Sequence, residues 1–567
     1  MEENDRNVVI FFVISMLIVI GYPYFFGRVA TPPVVQSLGE QFSTLEKRVV
    51  STISPTVQQE NVTEIHVESS SISGIISSRG AKIDSIHLKK YRESLDSEEN
   101  VQVMGNSRSY FAQTGWTSED HGVILPDENS CWKTDSTVLS EASPVTFTWD
   151  NGNGLLFEKR IFIDSDYLIT IVDEVKNYGT GSVQLKSVAV ISKEVETVED
   201  SLNFYEGPIG YINGKLKEIS YEDISKKGEI SFHSQGGWFG LTEKYWLTAF
   251  IPNQKLHSEV SYMIQQYGEK KICRISIVTA NIPAATSVSV SKTHHLFVGA
   301  KEITILDDYE KKLGVPHFDL AIDFGFLYLL TKPLLYALAL AKNIVGNMGL
   351  GILLLTLLIK LLLFPLANKS YRSMNRLGAI QPKIQALQQK YAGDNVRLGQ
   401  AVSEVYKKEK INPIGGCLPL LLQSPVLFAL YKVLYISIEM RQAPFIGWIR
   451  DLSQADPLLI TNLFGLIPMN LPGFLQVGVC PLLMGISMWF QQKMSPPPGN
   501  PQQKTLMWLM PVMFTFLFAQ LPSGLIIYWT FSNILGMIQQ YSIKRMEEVR
   551  GKNRNTEKHS TDMDLER

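Results

Sequence analysis

Residues 348–366 read MGLGILLLTLLIKLLLFPL, and this stretch decides the fold class. It holds 19 residues, and its one charge is Lys360. At about 1.5 Å per residue, some 20 apolar residues cross a hydrocarbon core of about 30 Å. The chain is therefore read as built partly in a lipid bilayer. Upstream, residues 8–26 (VVIFFVISMLIVIGYPYFF) form a second run of 19 residues without a charge. Its apolar core is long for a signal peptide, and Arg28-Val29-Ala30 is a poor small-x-small cleavage site. It reads as an uncleaved anchor over 1–26.

Downstream, four further spans are read near 415–438, 474–490, 505–521 and 524–543. Pro419, Pro425, Pro481, Pro511 and Pro522 lie in or beside them. Membrane helices tolerate proline where neighbouring helices or water satisfy the freed backbone groups. Six spans put both termini on one side. The connection 367–413 carries Lys369, Arg372, Arg376, Lys383, Lys390, Arg397, Lys407, Lys408 and Lys410, opposed only by Asp394, Glu404 and Glu409. The tail 544–567 adds Lys544, Arg545, Arg550, Lys552 and Arg554. Basic loops stay in the cytoplasm, so both termini are expected there.

Between the first two spans the chain changes character. Residues 27–60 are rich in Thr, Pro, Ser, Gln and Glu and read as a linker. From 61 to 317 short β runs follow one another. Residues 145–149 and 155–157 flank Asn151-Gly152-Asn153-Gly154, a hairpin signal. Residues 167–172, 183–190, 272–278 and 288–290 continue the pattern, with no run of helical period between them. The expectation is an antiparallel β-sandwich on the far side of the membrane. Cys131 and Cys273 lie in it, either paired or as buried thiols. Residues 318–345 break their apolar pattern at Asp319, Asp323, Lys332 and Lys342, as an amphipathic helix in the membrane interface would.

The composition excludes other classes. With 53 basic and 55 acidic residues in 567, the net charge of −2 gives no basic field for nucleic acid. Four cysteines exclude a disulfide scaffold. There is no HExxH, CxxC, GxSxG or complete P-loop. Asn213-Gly214-Lys215 is followed by Leu216 instead of a hydroxyl residue and reads as a turn. No cofactor, metal or catalytic group is expected.

Lys360 is the strongest local signal. A lysine at mid-span costs about 2.5–3.5 kcal/mol on insertion scales and usually faces a bundle interior or wet cavity. Snorkelling is the alternative, since Leu366 is only about 9 Å further along a helix. Thr356 lies four residues earlier on the same helical face. Gln423, Ser424, Ser487, Thr515, Gln520, Thr530, Ser532 and Asn533 add polar groups within the spans. With Lys360 they allow a hydrophilic cavity in the membrane. Leu427, Met484, Leu517 and Trp529 either line its apolar side or pack the bundle.

A set of motifs then carries a resemblance. It comprises Gln381-Pro-Lys-Ile-Gln385, Asn412-Pro-Ile-Gly-Gly-Cys417, Pro419-Leu-Leu-Leu-Gln423, Arg441-Gln-Ala-Pro-Phe445, Trp448-Ile-Arg-Asp-Leu452, Gln492-Lys-Met494, Met510-Pro511 and Leu521-Pro-Ser-Gly-Leu525. In order and spacing these closely resemble the YidC/Oxa/Alb family of membrane-protein insertases, densely over 318–546. Gly237-Trp238, Tyr245-Trp246 and Phe297-Val-Gly299 resemble more loosely the periplasmic domain of its Gram-negative members.

The resemblance implies six transmembrane helices, five of them the insertase core. The expected order is an anchor (1–26), linker (27–60), periplasmic sandwich (61–317), interfacial helix (318–345), second span (346–366), cytoplasmic helical hairpin (367–413), spans three to six (414–543) and cytoplasmic tail (544–567). It implies a groove open to cytoplasm and lipid but closed toward the periplasm, with the family's groove cation, usually Arg, falling on Lys360. That change keeps the charge and loses the planar fork of donors. Substrate-contacting positions carry over onto Thr356, Leu427, Met484, Leu517 and Trp529. The hairpin offers Arg376, Lys383, Lys390, Arg397, Lys407 and Lys408 to anionic lipid, ribosome or client. Implied partners are nascent membrane proteins, the Sec translocon, possible ribosome contacts and the inner-membrane bilayer, with no nucleotide. The implied function is insertion and assisted folding of inner-membrane proteins. Residues 456–476 look like an inserted segment without an evident role.

Overall fold

The computed structural model describes residues 62–105, 110–120, 122–195, 204–268, 270–409, 418–462, 476–494 and 501–565. The anchor and the linker expected from the sequence lie outside the described residues. The chain divides into two compact units, the first ending at Ile322 and the second beginning at Asp323.

The first unit is built from two sheets. Strand Leu155–Ile163 (LLFEKRIFI) buries every second side chain, and Leu168–Asn177 does so over most of its length, the period-2 pattern of a strand with one covered face. Among the described residues the first sheet has eleven strands. Its main path runs Glu229–Gln235, His257–Tyr267, Lys270–Thr279, Val183–Val195, Phe111–Thr117, Lys82–Arg92, Ile72–Ser77, Glu64–Glu68, Val138–Ser140. The second has nine, in the order Lys215–Glu218, Gly207–Ile212, Trp238–Thr242, Trp246–Ile251, Ser289–Ala300, Leu168–Asn177, Leu155–Ile163, Val145–Asp150, Lys133–Thr134. Buried Ile65, Ile72, Ala189, Ile191 and Ile277 come from one sheet, and Phe147, Phe157, Ile161, Ile171 and Val175 from the other. Each fully buried Ile, Val or Phe side chain contributes about 1.5–3 kcal/mol relative to exposure.

The expected hairpin forms between Val145–Asp150 and Leu155–Ile163. Asn151 Oδ1 accepts from Asn153 N (2.8 Å) and Leu155 N (2.9 Å), closing the loop. The turn at Asn213 (φ 47°) and Gly214 (φ 80°) has both central residues left-handed, which is why Asn-Gly stands there.

Three expectations are corrected. The sandwich is not free of helix: α1 (Tyr221–Lys227) and α2 (Ile303–Leu313) belong to it. Helix α2 buries only Ile303, Leu306 and Tyr309, a stripe too short to stand out beside the strands. The pairing is not wholly antiparallel, since Glu64–Glu68 and Val138–Ser140 run parallel. The chain does not enter a long helix at 318. Phe318–Ala321 is a 3-10 turn, and Phe318 packs edge-on to Trp238 (5.5 Å) and Phe297 (5.4 Å). Burying that aromatic outweighs the amphipathic pattern. Cys131 and Cys273 are free thiols, not a disulfide, and burial pushes Cys273 up to about 12.

The second unit is helical: α3 (Tyr328–Val345), α4 (Met348–Leu362), α5 (Phe364–Lys390), α6 (Asn395–Lys408), α7 (Leu418–Ile436), α8 (Val479–Met494), α9 (Pro501–Leu517) and α10 (Ser523–Leu565). Helix α3 starts where Asp323 Oδ1 accepts from Gly325 N (3.0 Å) with Gly325 at φ 68°. Helices α4 to α10 cover the expected spans two to six and the hairpin. Among the described residues no single helix is long and apolar enough to cross a membrane alone. The pair α3 and α4, bent by 119°, qualifies only together. The expected span 348–366 is interrupted at Leu363, so α4 has 15 residues, about 22 Å of helix. Helix α4 packs on α3 and α10, α8 on α9 and α10, and α7 on α3, α5 and α10.

Candidate functional site

Helix α4 has two faces. Met348, Gly349, Gly351, Ile352, Leu355 and Thr356 are buried at helical spacing, while Leu357, Leu358, Leu361 and Leu362 are exposed. Lys360 stands half-buried between these faces, in the last turn. A cation there also meets the negative end of the helix dipole. Thr356, one turn earlier, is buried and donates through Oγ1 to the Ile352 carbonyl at 2.6 Å.

The remaining contact candidates differ in access. Leu517 is 52% exposed at the end of α9. Leu427 on α7 and Trp529 on α10 are half-buried. Met484 on α8 is fully buried, so it meets a client only if helices part. Contacts connect three of these helices. Trp529 lies 5.0 Å from the ring of Phe518, next to Leu517. Gly485, next to Met484, lets α9 approach so closely that a Cβ would stand 2.0 Å from Thr515 Oγ1. Asn533 Nδ2 donates to Ser487 Oγ (2.9 Å), and Ser487 Oγ donates to the Met484 carbonyl (2.6 Å). Ser487 and Asn533 therefore join α8 to α10 here.

The hairpin α5–α6 presents its charge outward. Arg376, Lys383, Lys390, Arg397, Lys407 and Lys408 are exposed, while Ile380 and Ile384 are buried. Lys383 Nζ bonds Glu409 at 2.6 Å and holds that carboxyl below the usual range. Asp394 caps α6 by accepting from Arg397 N (3.0 Å).

Sequence reading missed Asp456. It is buried and accepts from Trp448 Nε1 (2.9 Å), Leu458 N (3.0 Å) and Cys480 N (2.6 Å). The available signal was Asp456-Pro457, a turn-initiating pair. Among the described residues no group of three or more His, Cys, Asp or Glu could hold a metal ion.

Comparison with known proteins bears on the whole chain. The family profile described as 60Kd inner membrane protein matches residues 340–550, and that described as YidC periplasmic domain matches 64–337. The Membrane protein insertase YidC of Rickettsia bellii (strain OSU 85-389) is 41% identical over 563 residues, covering 97% of this chain and 100% of the relative. That of Rickettsia akari (strain Hartford) is 41% identical over 561 residues, covering 96% and 100%. A solved structure, "Active YidC insertase crystal structure with the first transmembrane domain resolved", aligns at 15% identity and TM-score 0.36 over 89% of this chain and 98% of that one. On its full-length identity to these relatives, the chain belongs to the YidC membrane protein insertase family.

Proposed function

We propose that this protein is a multi-pass inner-membrane insertase and folding aid for newly made membrane proteins, acting alone or with the Sec translocon. The observation that carries this reading is 41% identity over 97% of the chain to a relative named as an insertase. In this reading six helices span the membrane, both termini face the cytoplasm, and the β unit lies in the periplasm. The exposed apolar faces of α4, α8 and α9 (Leu358 and Leu362, Leu483 and Phe490, Trp508 and Val512) support contact with lipid. Bending of α3 against α4 supports a helix lying in the interface before the second span.

A client docks first on the basic hairpin α5–α6, which also faces anionic head groups and the ribosome. Its short tail enters a hydrated groove bordered by Thr356, Leu427, Leu517 and Trp529, with Met484 exposed as helices part. Lys360 attracts acidic groups of the tail as a point charge and lowers the barrier to moving polar residues partway across. The apolar segment then leaves sideways into lipid. Twenty apolar residues at −0.3 to −0.6 kcal/mol each give roughly −6 to −12 kcal/mol, so partitioning drives the step. The membrane potential adds about 2.3 kcal/mol per charge per 100 mV and favours outward movement of acidic tails. No bond is made or broken. The test is insertion of an acidic-tailed, single-span client into vesicles carrying the wild type or Lys360→Ala. A fall with the variant supports the groove charge, and unchanged insertion removes it.

A further inference from the structure

One segment of the helical unit touches the start of three helices. At α4, Asn347 caps the helix by accepting from Leu350 N (3.0 Å), and its Nδ2 donates to the Phe445 carbonyl (3.2 Å). Gly349 lies flush against the same phenylalanine, where a Cβ would stand 2.0 Å from the ring. At α10, Ser523 N and Oγ donate to the Gln454 carbonyl (2.7 and 2.8 Å), and Gly524 N donates to Leu452 O (3.0 Å). At α8, the Asp456 carboxylate accepts from Cys480 N (2.6 Å). The chain from 440 to 458 thus supplies acceptors to the first N–H groups of α8 and α10, which have no partner inside their own helices, and at α4 it holds the side chain of the capping Asn347.

The same segment is apolar where it meets the bundle. Met440, Ile449 and Leu452 are buried, and Met440 would lie 2.5 Å from a Cβ placed on Gly524. Asp456 fastens it. One oxygen takes Trp448 Nε1 and Leu458 N, and the other takes Cys480 N. A buried carboxylate needs such partners, and the positive end of α8 adds a favourable field. Gly478 is required beside it, since a Cβ there would stand 2.6 Å from Asp456 Cβ. A short antiparallel bridge between Leu459 and Gly478 continues the closure.

The family resemblance implies a groove closed toward the periplasm; we propose that Asp456 is the latch of that closure, a positioning residue that fastens the segment from 440 to 458 to the start of α8 while the opposite end receives a client. The orientation rests on the insertase reading above; the latch itself rests on the bonds. Breaking it frees the start of α8 from the segment and bares the backbone around Cys480.

Cys480 is a native reporter, buried and one helical position into α8. The full-length protein is expressed in spheroplasts, treated with a membrane-impermeant maleimide, and the Cys480 adduct is read by peptide mass spectrometry. In parallel, inverted vesicles present the other face. The wild type is expected to react slowly. Asp456→Ala is expected to react about tenfold faster or more from the periplasmic face, as a local opening does, and to do so from that face alone. Where Asp456→Ala does not accumulate, Asp456→Asn keeps the volume, places an amide against Cys480 N, and is held to the same criterion. A folded variant labelled at the wild-type rate from both faces overturns the latch. Acceleration confined to inverted vesicles overturns the proposed orientation and the insertase topology behind it, and leaves the latch standing.

Discussion

Lys360 stands out in the sequence as the one charge in a 19-residue span, with snorkelling as its bland alternative. In the proposed groove its neutral replacement removes a charge-assisted attraction of about 1–2 kcal/mol, so Lys360→Ala is expected to slow insertion of an acidic-tailed client roughly five- to thirtyfold, with Lys360→Arg near wild type. Time-resolved protease protection of the client checks this. Lys159 and Asp173 were equally readable and were passed over. In Leu155–Ile163 and Leu168–Asn177 both charges fall on the inward parity, at directly opposite positions of adjacent strands. The structure buries the pair at 2.7 Å, and Lys159 Nζ crosses to the other sheet to donate to the Thr114 carbonyl (2.8 Å). Removing one partner strands the other charge. Lys159→Ala is expected to destabilise the unit by about 3–5 kcal/mol, while a Lys159→Met, Asp173→Leu double variant recovers most of that. Thermal unfolding of the full chain in detergent distinguishes them.

His294 gives the residue scale a pH dependence. Its Nε2 pairs with Ser187 Oγ across the sheets at 2.7 Å. Burial lowers it from 6.5 to about 4, with Asp173 opposing and Lys159 reinforcing the shift. The unfolded chain therefore binds the extra proton first. Stability from this group is complete above pH 6.5 and falls as pH drops toward about 4. His294→Gln is expected to flatten the fall in Tm between pH 7 and 5.5, a range above most carboxylate titration.

At the scale of elements, strands and turns followed the sequence where period 2 and Asn-Gly pairs were strong. The two helices of the sandwich did not, because α1 has seven residues and α2 buries only three. The start of α3 at Tyr328 was hidden because Phe318 is drawn into the sandwich core, a tertiary contact that no local pattern reports. Within 367–413, where a helical hairpin is expected, the structure has α5 and α6, and α5 begins earlier, at Phe364. Close helix approach was also invisible. Gly485 carries no signal of its own, yet Thr515 fills the place of its missing Cβ. Gly485→Val is expected to push α9 from α8 at a cost of about 1–3 kcal/mol, partly recovered by Thr515→Ala. The Tm of the two variants in detergent reads that recovery.

At the scale of the molecule, a β-rich unit and a helical unit were both expected, and both are present. The number of membrane crossings is less directly written. Helices α4, α8 and α9 have 15, 16 and 17 residues, each shorter than the roughly 20 that a straight crossing needs. Short helices match a bilayer by local thinning or by using flanking residues, at fractions of a kcal/mol per Å. The central claim is that clients pass through this bundle beside Lys360. The most direct measurement is site-specific photo-crosslinking from Trp529 and Leu427, in inverted vesicles translating a small single-span client. The account predicts a crosslink from both positions, diminished when a second client competes. If neither position crosslinks while the protein is correctly inserted and the client still reaches the membrane, the groove path is contradicted.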